Sequence, residues 1–367
     1  MIDCVRLTCS RNPLRWNCEK KAVPPFSHIG SQTVRIFLTG VAGFLGSHLA
    51  ERLKDLGHEI VGIDSMIGGD QRNIPDGVDF YQCDCRDRST VQNLLSGCDV
   101  VYHCAALAYE GLSIFSPHLV TRSIVDASAS VFSAAIASGV KRIIFCSSMA
   151  RYGRNSVPFQ ESYIPAPQDP YGIAKLAAEQ LLKNMCEVHG VEYVIAVPHN
   201  IIGPRQKYND PYRNVASIMT NLILQGRRPI IYGDGNQRRC FSFIQDCVEP
   251  LALMLEAKSA TNEVINIGPD DEFISINQLF EKLRQVTGYN GKPIHMPDRP
   301  QEVKEANCAS DKAKRLLGYE PKTKIQTGLK SIVDHIQERG TQQFEYHLEL
   351  EIDSDLMPNT WRNKSFS

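Results

Sequence analysis

Between residues 34 and 59 an apolar run, a glycine turn and an amphipathic stretch follow one another, and no other feature limits the fold as much. Residues 34–39 (VRIFLT) form a short β-branched run of the kind buried on both faces of a parallel sheet. Gly40, Gly43 and Gly46 come next, with Phe44 and Leu45 between the last two, and then SHLAERLKDLGHE with apolar residues at helical spacing. Strand, turn and helix in this order suit a dinucleotide. The glycines allow close backbone approach, and the helix start offers free N–H groups to a pyrophosphate. A second run, EIVGID, ends at Asp64, 18 residues beyond Gly46. An acid there accepts hydrogen bonds from the adenosine ribose and repels a 2′-phosphate, which favours NAD over NADP.

Strand-like and helix-like segments keep alternating beyond that point: VDFYQCD, STVQNLLSG, DVVYHCAA, SIVDASASVFSAAIASG and VKRIIFCSS. The alternation predicts an α/β fold of the Rossmann kind, a doubly wound parallel sheet covered by helices on both faces. Asp84 closes one strand, either within reach of an adenine amino group or as a turn residue. The strand 140–148 ends in Ser147 and Ser148, and after a polar loop Tyr171 and Lys175 open a helix. Four residues apart, both side chains project from one helical face. A tyrosine titrates near 10, and a neighbouring ammonium or an oxidised nicotinamide lowers that value. Tyr171 is thereby a candidate base for a substrate hydroxyl, with Ser148 holding that hydroxyl in line.

Composition removes several alternatives. The net charge of −1 lacks the basic excess of a nucleic-acid binder. No uninterrupted apolar run approaches the roughly 18 residues of a membrane span. The twelve cysteines include no CxxC pair, and Cys98, Cys104 and Cys146 sit in apolar runs as small hydrophobes, so neither a metal nor a disulfide framework is expected. A reducing cytoplasm suits them. Residues 1–32 lack periodicity and carry Arg6, Arg11, Arg15, Lys20 and Lys21 against Asp3 and Glu19, as a disordered leader or a targeting segment does. From about Gly340 the chain is polar and acidic and reads as a tail. The expected division is a leader over 1–32, a nucleotide-binding domain with Ser148, Tyr171 and Lys175 over 33–197, a smaller α/β substrate-binding part over 198–338, and a tail over 339–367.

This set of residues resembles the extended short-chain dehydrogenase/reductase family, in its NAD-dependent nucleotide-sugar epimerase/dehydratase branch. The likeness runs over about 34–338. It includes Thr39 to Gly46, His103-Cys104-Ala105-Ala106, the serine before Tyr152-Gly153, the Tyr171/Lys175 pair and Asn200-Ile201-Ile202-Gly203-Pro204-Arg205. It continues through Tyr232-Gly233-Asp234-Gly235, Arg239-Cys240-Phe241, Arg299-Pro300-Gln301-Glu302 and Leu317-Gly318-Tyr319. The resemblance implies a UDP-sugar substrate and a homodimer. It adds Cys85, Ala105 and Pro198 to the cofactor side. On the substrate side it makes Asn200 a diphosphate ligand, Tyr232 the uracil-stacking ring, and Arg239 and Arg299 the diphosphate clamps. Glu302 replaces the family's usual aspartate. Ala306 falls where plain-hexose epimerases carry a tyrosine, so it is expected to leave room for an N-acetyl group.

Three departures stand out. Ser123, Asp126 and Ala127 replace an asparagine and a glycine-threonine pair in the helix under the active site. Met149 and Ala150 stand where sugar 4,6-dehydratases carry an aspartate and a glutamate, and only Glu110 or Glu161 remains to reach the site from a loop. Arg151 is expected either to touch a uronate carboxylate or to face solvent. The leading expectation is epimerisation at carbon 4 of UDP-glucose or UDP-N-acetylglucosamine through a keto sugar. The rivals are a 4,6- or 5,6-dehydratase, a UDP-uronate epimerase or decarboxylase, and a non-catalytic sensor of NAD or sugar nucleotide. Helices over 123–138 and 170–189 are expected to pair in the dimer.

Overall fold

The computed structural model describes residues 33–271 and 273–366; the leader expected over 1–32 lies outside them. The chain begins β1 (Arg35–Thr39), α1 (Phe44–Asp55), β2 (Glu59–Asp64), β3 (Asp79–Gln82), α2 (Arg88–Leu94) and β4 (Val100–His103). It continues with α3 (Pro117–Thr121), α4 (Ala127–Ala137), β5 (Arg142–Cys146), α5 (Pro170–His189) and β6 (Glu192–Pro198). Next come β7 (Ile201–Ile202), α6 (Val215–Leu224), β8 (Ile230–Tyr232), β9 (Arg238–Cys240), β10 (Ser242–Phe243), α7 (Ile244–Leu253) and β11 (Glu263–Ile267). The last elements are β12 (Phe273–Ser275), α8 (Ile276–Thr287), β13 (Ile294–Met296), β14 (Glu305–Ala306), α9 (Asp311–Leu317), α10 (Ile325–Arg339) and α11 (Asn359–Arg362).

Seven parallel strands form the central sheet in the order β11-β6-β5-β4-β1-β2-β3. The order reverses between β1 and β4, and a crevice opens there beyond the carboxyl ends of the strands. The strand interiors explain the layering: Ile36, Phe37, Leu38, Ile143, Ile144 and Phe145 are wholly buried, as parallel strands under two helical layers require. Three short sheets, β10-β7, β12-β9-β14 and β13-β8, build the carboxyl-terminal part.

Three features bear on the expected organisation. The domain boundary at 197 is not a clean cut, because α7 packs on α1 and β11 adds an edge strand to the main sheet. Tyr102 and Arg52 tie this return to the first half: the Tyr102 hydroxyl donates to the Leu251 carbonyl (2.9 Å), and Arg52 makes a bidentate pair with Glu249 (2.8 Å each). Second, the helical stretch Pro117–Ala137 is long and apolar enough to cross a membrane by length and composition. Its Val120, Val131, Phe132 and Ala134 are buried, and α4 packs on α2 and α5. Third, residues 341–366 do not trail away. Phe344, Met357, Trp361 and Phe366 are buried with Tyr109, Leu112, Phe115 and Tyr212 in a cluster of their own. The Glu351 carboxylate accepts the amides of His118 (2.9 Å) and Leu119 (2.7 Å) at the start of α3, and the amides of Glu351 and Ile352 donate to the Phe115 carbonyl.

Candidate active site

The crevice is a cavity of about 520 Å³. One end is the glycine turn. Gly40 has φ +77°, and a Cβ at Gly46 would run into the Gly40 carbonyl, so both positions need glycine. Gly43 precedes α1 without a side-chain cap, and Phe44, Leu45 and Gly46 open the helix with no acid in its first turn, which leaves that end receptive to an anion. The buried Asp64 carboxylate accepts the amides of Ala42 (3.1 Å) and Met66 (2.8 Å); burial raises its pKa and these bonds pull it back. Asp84 forms a pair with Arg86 (2.9 Å to Nε), which holds its carboxyl below the usual range. Cys85, Ala105 and Pro198 complete this end of the wall. Beneath Ala105, the buried His103 bridges Thr39 Oγ1 (2.8 Å) and Ser128 Oγ (3.0 Å).

The middle of the cavity holds the candidate catalytic group. β5 carries the chain to Ser148, whose hydroxyl accepts the Ala150 amide (3.2 Å) and caps a short 3-10 turn, Met149–Arg151. Asp169 caps α5 through the Gly172 amide (2.8 Å), with Pro170 at the first helical position. That start delivers Tyr171 and, one turn on, Lys175 to the wall. Burial dominates at Tyr171 and raises its phenol, and hydrogen bonding with Ser148 opposes this. The expected relief from Lys175 is therefore not the leading influence. Its ammonium donates to the Cys146 carbonyl (2.8 Å) and lies over the Phe145 ring (4.9 Å), and burial lowers it to about 8.

The far end is built by the carboxyl-terminal part. Asn200, at φ +44°, donates from its side chain to the Cys240 carbonyl (3.0 Å). Arg239 and Arg299 converge on one carboxylate: Glu302 Oε1 lies 3.1 Å from Arg239, and Oε2 lies 2.6 Å from Arg299. Arg299 also lies over the Tyr232 ring (4.9 Å), and the Tyr232 hydroxyl hydrogen-bonds Thr360 of the carboxyl-terminal strap. Two guanidinium forks beside an aromatic face make a fitting receptor for a diphosphate and a base.

The sequence profile of the NAD dependent epimerase/dehydratase family matches residues 36–268. The chain belongs to this family. The UDP-glucose 4-epimerase of Thermotoga maritima, solved with UDP-glucose, is similar at 32% identity and TM-score 0.80, over 83% of this chain and 99% of that one. GDP-mannose 3,5-epimerase 1 of Oryza sativa subsp. japonica is 31% identical over 324 residues, 84% of this chain and 83% of the relative. A UDP-N-acetyl-alpha-D-glucosaminuronate decarboxylase of Bacillus cytotoxicus is 28% identical over 319 residues, 83% of this chain and 98% of the relative. NAD is the family's cofactor, and solved structures of similar proteins contain it. The crowding at Gly46 and the uncapped start of α1 fit that group.

Family positions do not all fall where the resemblance implies. Gly40, Gly43, Phe44, Leu45, Gly46, Asp64, Asp84, Cys85, Ala105, Pro198, Ser148, Tyr171, Lys175, Asn200, Tyr232, Arg239, Arg299 and Glu302 share the one cavity. Ala306 does not. It pairs with Arg239 between β14 and β9, is wholly buried, and packs in the main core, so no substrate gate is found there; Val303 lines the cavity instead. Arg151 meets neither a cavity anion nor solvent. Its side chain is 4% exposed, 3.0 Å from the fully buried Glu179 of α5, and donates to the Tyr152 hydroxyl (3.1 Å). Of the departures under the site, Ser123 and Ala127 line the cavity, while Asp126 is exposed beside Arg122. Sequence reading overlooks Arg213, which lies over Tyr109 (4.5 Å) and lines the cavity, and also Trp361 and Phe366 of the strap. The Asp-Pro step before Tyr171 is a local signal for the start of α5, which runs over Pro170–His189, the range expected from the sequence.

Proposed function

We propose that this chain inverts carbon 4 of a UDP-sugar, UDP-glucose or UDP-N-acetylglucosamine, through a 4-keto intermediate. The observation that carries the reading is the shared cavity, with the Ser148–Tyr171 pair at its middle and the paired arginines at its far end. In this reading Gly40, Gly43 and Gly46 cradle the NAD pyrophosphate, Asp64 takes the adenosine ribose, and Asp84, Cys85, Ala105 and Pro198 flank the cofactor. NAD held there would supply reversible hydride chemistry, taking the hydride of carbon 4 and giving it back to the opposite face. Tyr171 takes the proton of the carbon 4 hydroxyl, Ser148 holds that oxygen in line, and Lys175 favours the phenolate. Asn200, Arg239 and Arg299 grip the diphosphate, Tyr232 stacks on the base, and Glu302 orients both guanidinium groups. The keto sugar turns over between clamp and tyrosine and presents its other face, and Tyr171 returns the proton to the carbon 4 oxygen as that carbon regains its hydride.

Arg151 was the motive for a uronate substrate, and its pairing with Glu179 removes it as a ligand for the carboxylate. Met149 and Ala150 offer neither base nor acid on the serine side of the ring, so no 4,6-dehydrated product is expected; Glu110, which lines the cavity, is what keeps that rival open to the test. Incubation with NAD and a panel of UDP-sugars, read by mass spectrometry and NMR, tests the proposal. An unchanged mass with inverted carbon 4 supports it; loss of water points to a dehydratase, and no change on any sugar to a sensor. We also propose a cytoplasmic homodimer. The described cysteines are free, which suits a reducing compartment, and Ile173 and Val188 on α5 are 55% and 70% exposed, as residues of a helix-pairing face would be in one protomer. A mass near 41.1 kDa in light scattering at micromolar concentration would rule out the dimer.

A further inference from the structure

The loop between β4 and α3 brings one more ionisable group into the cavity. Tyr109 is pinned in the interior by donation to Asp210 (2.6 Å), and the Ser113 hydroxyl donates to the Glu110 carbonyl (2.6 Å). Between these anchors the Glu110 side chain lines the cavity wall. The loop also runs against the arginine clamp, since a Cβ on the next residue, Gly111, would lie 3.7 Å from Arg299 Nη1. Among the described residues the Glu110 carboxylate has no hydrogen-bonding or ion-pairing partner, although Tyr171, Asp169, Arg239, Arg299 and Glu302 all lie within its electrostatic reach. It is thus an uncommitted carboxyl on the wall of the cavity that Tyr171 and the clamp share. That is where a hexose must lie if its diphosphate rests on the arginines and its carbon 4 at Tyr171. Glu161, the other candidate from a loop, is spent on the Asn266 amide (2.9 Å) and does not reach the cavity.

We propose that Glu110 is a second acid–base group of this site, one that takes a proton from a ring carbon flanking carbon 4 of the keto sugar. The proposal rests on the carbon 4 oxidation put forward above. Once carbon 4 is a ketone, the C–H bonds on carbons 3 and 5 are acidified, because the electron pair left behind is shared with the ketone oxygen. The Glu110 carboxylate accepts the proton, that C–H bond breaks, and an enolate forms with its charge on the carbon 4 oxygen. The hydroxyls of Ser148 and Tyr171 stand beside that oxygen as hydrogen-bond donors. Glu110 then returns a proton to the same carbon, so atoms and electrons balance with no further reagent. Return on the original face restores the sugar, and return on the other inverts that carbon. Burial first, and then Asp169, raise the Glu110 carboxyl to about 7, which equips it to accept and return a proton near neutrality. Met149 and Ala150 leave it without a competing acid on the serine side of the ring.

The test is turnover of UDP-glucose and of UDP-N-acetylglucosamine in deuterium oxide by the NAD-loaded wild type and by Glu110→Gln. NMR locates deuterium on the hexose ring, and the readout is the ratio of deuterium gained at carbon 3 or 5 to inversion at carbon 4. The wild type is expected to incorporate deuterium, and the variant to lower the ratio at least tenfold, with Glu110→Asp restoring part of it. Because the readout is a ratio, general damage to the fold does not mimic the result. Inversion at carbon 4 without ring deuterium in the wild type overturns the role of Glu110 alone, as does an unchanged ratio in Glu110→Gln. Neither inversion nor deuterium overturns the carbon 4 reading, and this proposal with it.

Discussion

At Tyr171 two influences oppose each other: burial raises the phenol and the Ser148 hydroxyl lowers it. Phenylalanine at this position removes the proposed proton acceptor and leaves the arginine pair and the glycine turn in place. Tyr171→Phe is therefore expected to cut kcat by on the order of 10²–10⁴-fold, while calorimetry finds UDP-sugar and NAD binding little changed. A variant keeping more than about a tenth of the wild-type rate would show that another group is the base. Buried histidines supply a pH prediction. Burial lowers His103 and His199 to about 3 and His48 to about 4. The unfolded chain takes a proton on each near pH 6.5, whereas the folded chain resists until these lower values. Their contribution is whole above pH 6.5 and is lost as the pH falls towards 4, at up to about 1.4 kcal/mol per pH unit for each. Urea unfolding at several pH values should show this, and His103→Gln, which keeps partners for Thr39 and Ser128, should flatten the slope. A slope identical to wild type would mean that His103 does not contribute to the acid limit. Residues with local signatures, the glycines and the Tyr171/Lys175 pair, are legible in the sequence because their spacing fixes their geometry. Ala306 is not, since its neighbours come from β9 and from the residues around Phe159.

The helix α5 carries a stripe, Tyr171, Lys175 and Glu179, spaced four apart and all buried. Its outer two thirds were readable as an amphipathic helix; the partner of the third member was not. Arg151 follows Ser148 by three residues, which suggested a surface or cavity role. The 3-10 turn instead turns the guanidinium inward, where the carboxylate of Glu179 also accepts the Ser147 hydroxyl. This ion pair locks the turn after β5 to α5. Glu179→Ala leaves Arg151 buried without a counter-charge and is expected to cost about 3–5 kcal/mol in urea unfolding. Replacing both partners, as Arg151→Met with Glu179→Leu, should recover most of that loss, because two buried charges and their desolvation disappear together. If Glu179→Ala costs less than about 1 kcal/mol, the pair is not what holds the turn against α5.

At the scale of the molecule, the doubly wound sheet and its switch-point crevice follow from the alternation of short apolar runs with helical stretches, but the strap over residues 341–366 escapes such a reading. Its five acids suggest a tail. Yet Phe344, Tyr346, Leu348 and Leu350 alternate with polar and acidic residues, a period of two that lays one apolar edge on the protein. What that edge packs against, the loop after β4 and the region around Tyr212, is more than 100 residues away in the chain and invisible to local pattern. The strap ends at the cavity. Trp361 stands edge-on to Tyr212 (5.2 Å) and Phe115 (6.0 Å), lies against Gly111, and follows Thr360, which bonds the Tyr232 hydroxyl. It thereby braces both the aromatic face and the loop next to the arginine clamp. Trp361→Ala removes a fully packed indole, so a loss of about 3–5 kcal/mol in unfolding is expected. The same change should weaken the binding of UDP, measured by calorimetry on the folded variant, because Tyr232 and Arg299 lose the wall that positions them. NAD affinity should hardly move, since the glycine turn lies at the opposite end of the cavity and takes no support from the strap. Unchanged UDP affinity would mean that the strap only covers the cluster beneath it. Tighter UDP binding would mean that it obstructs the site rather than building it.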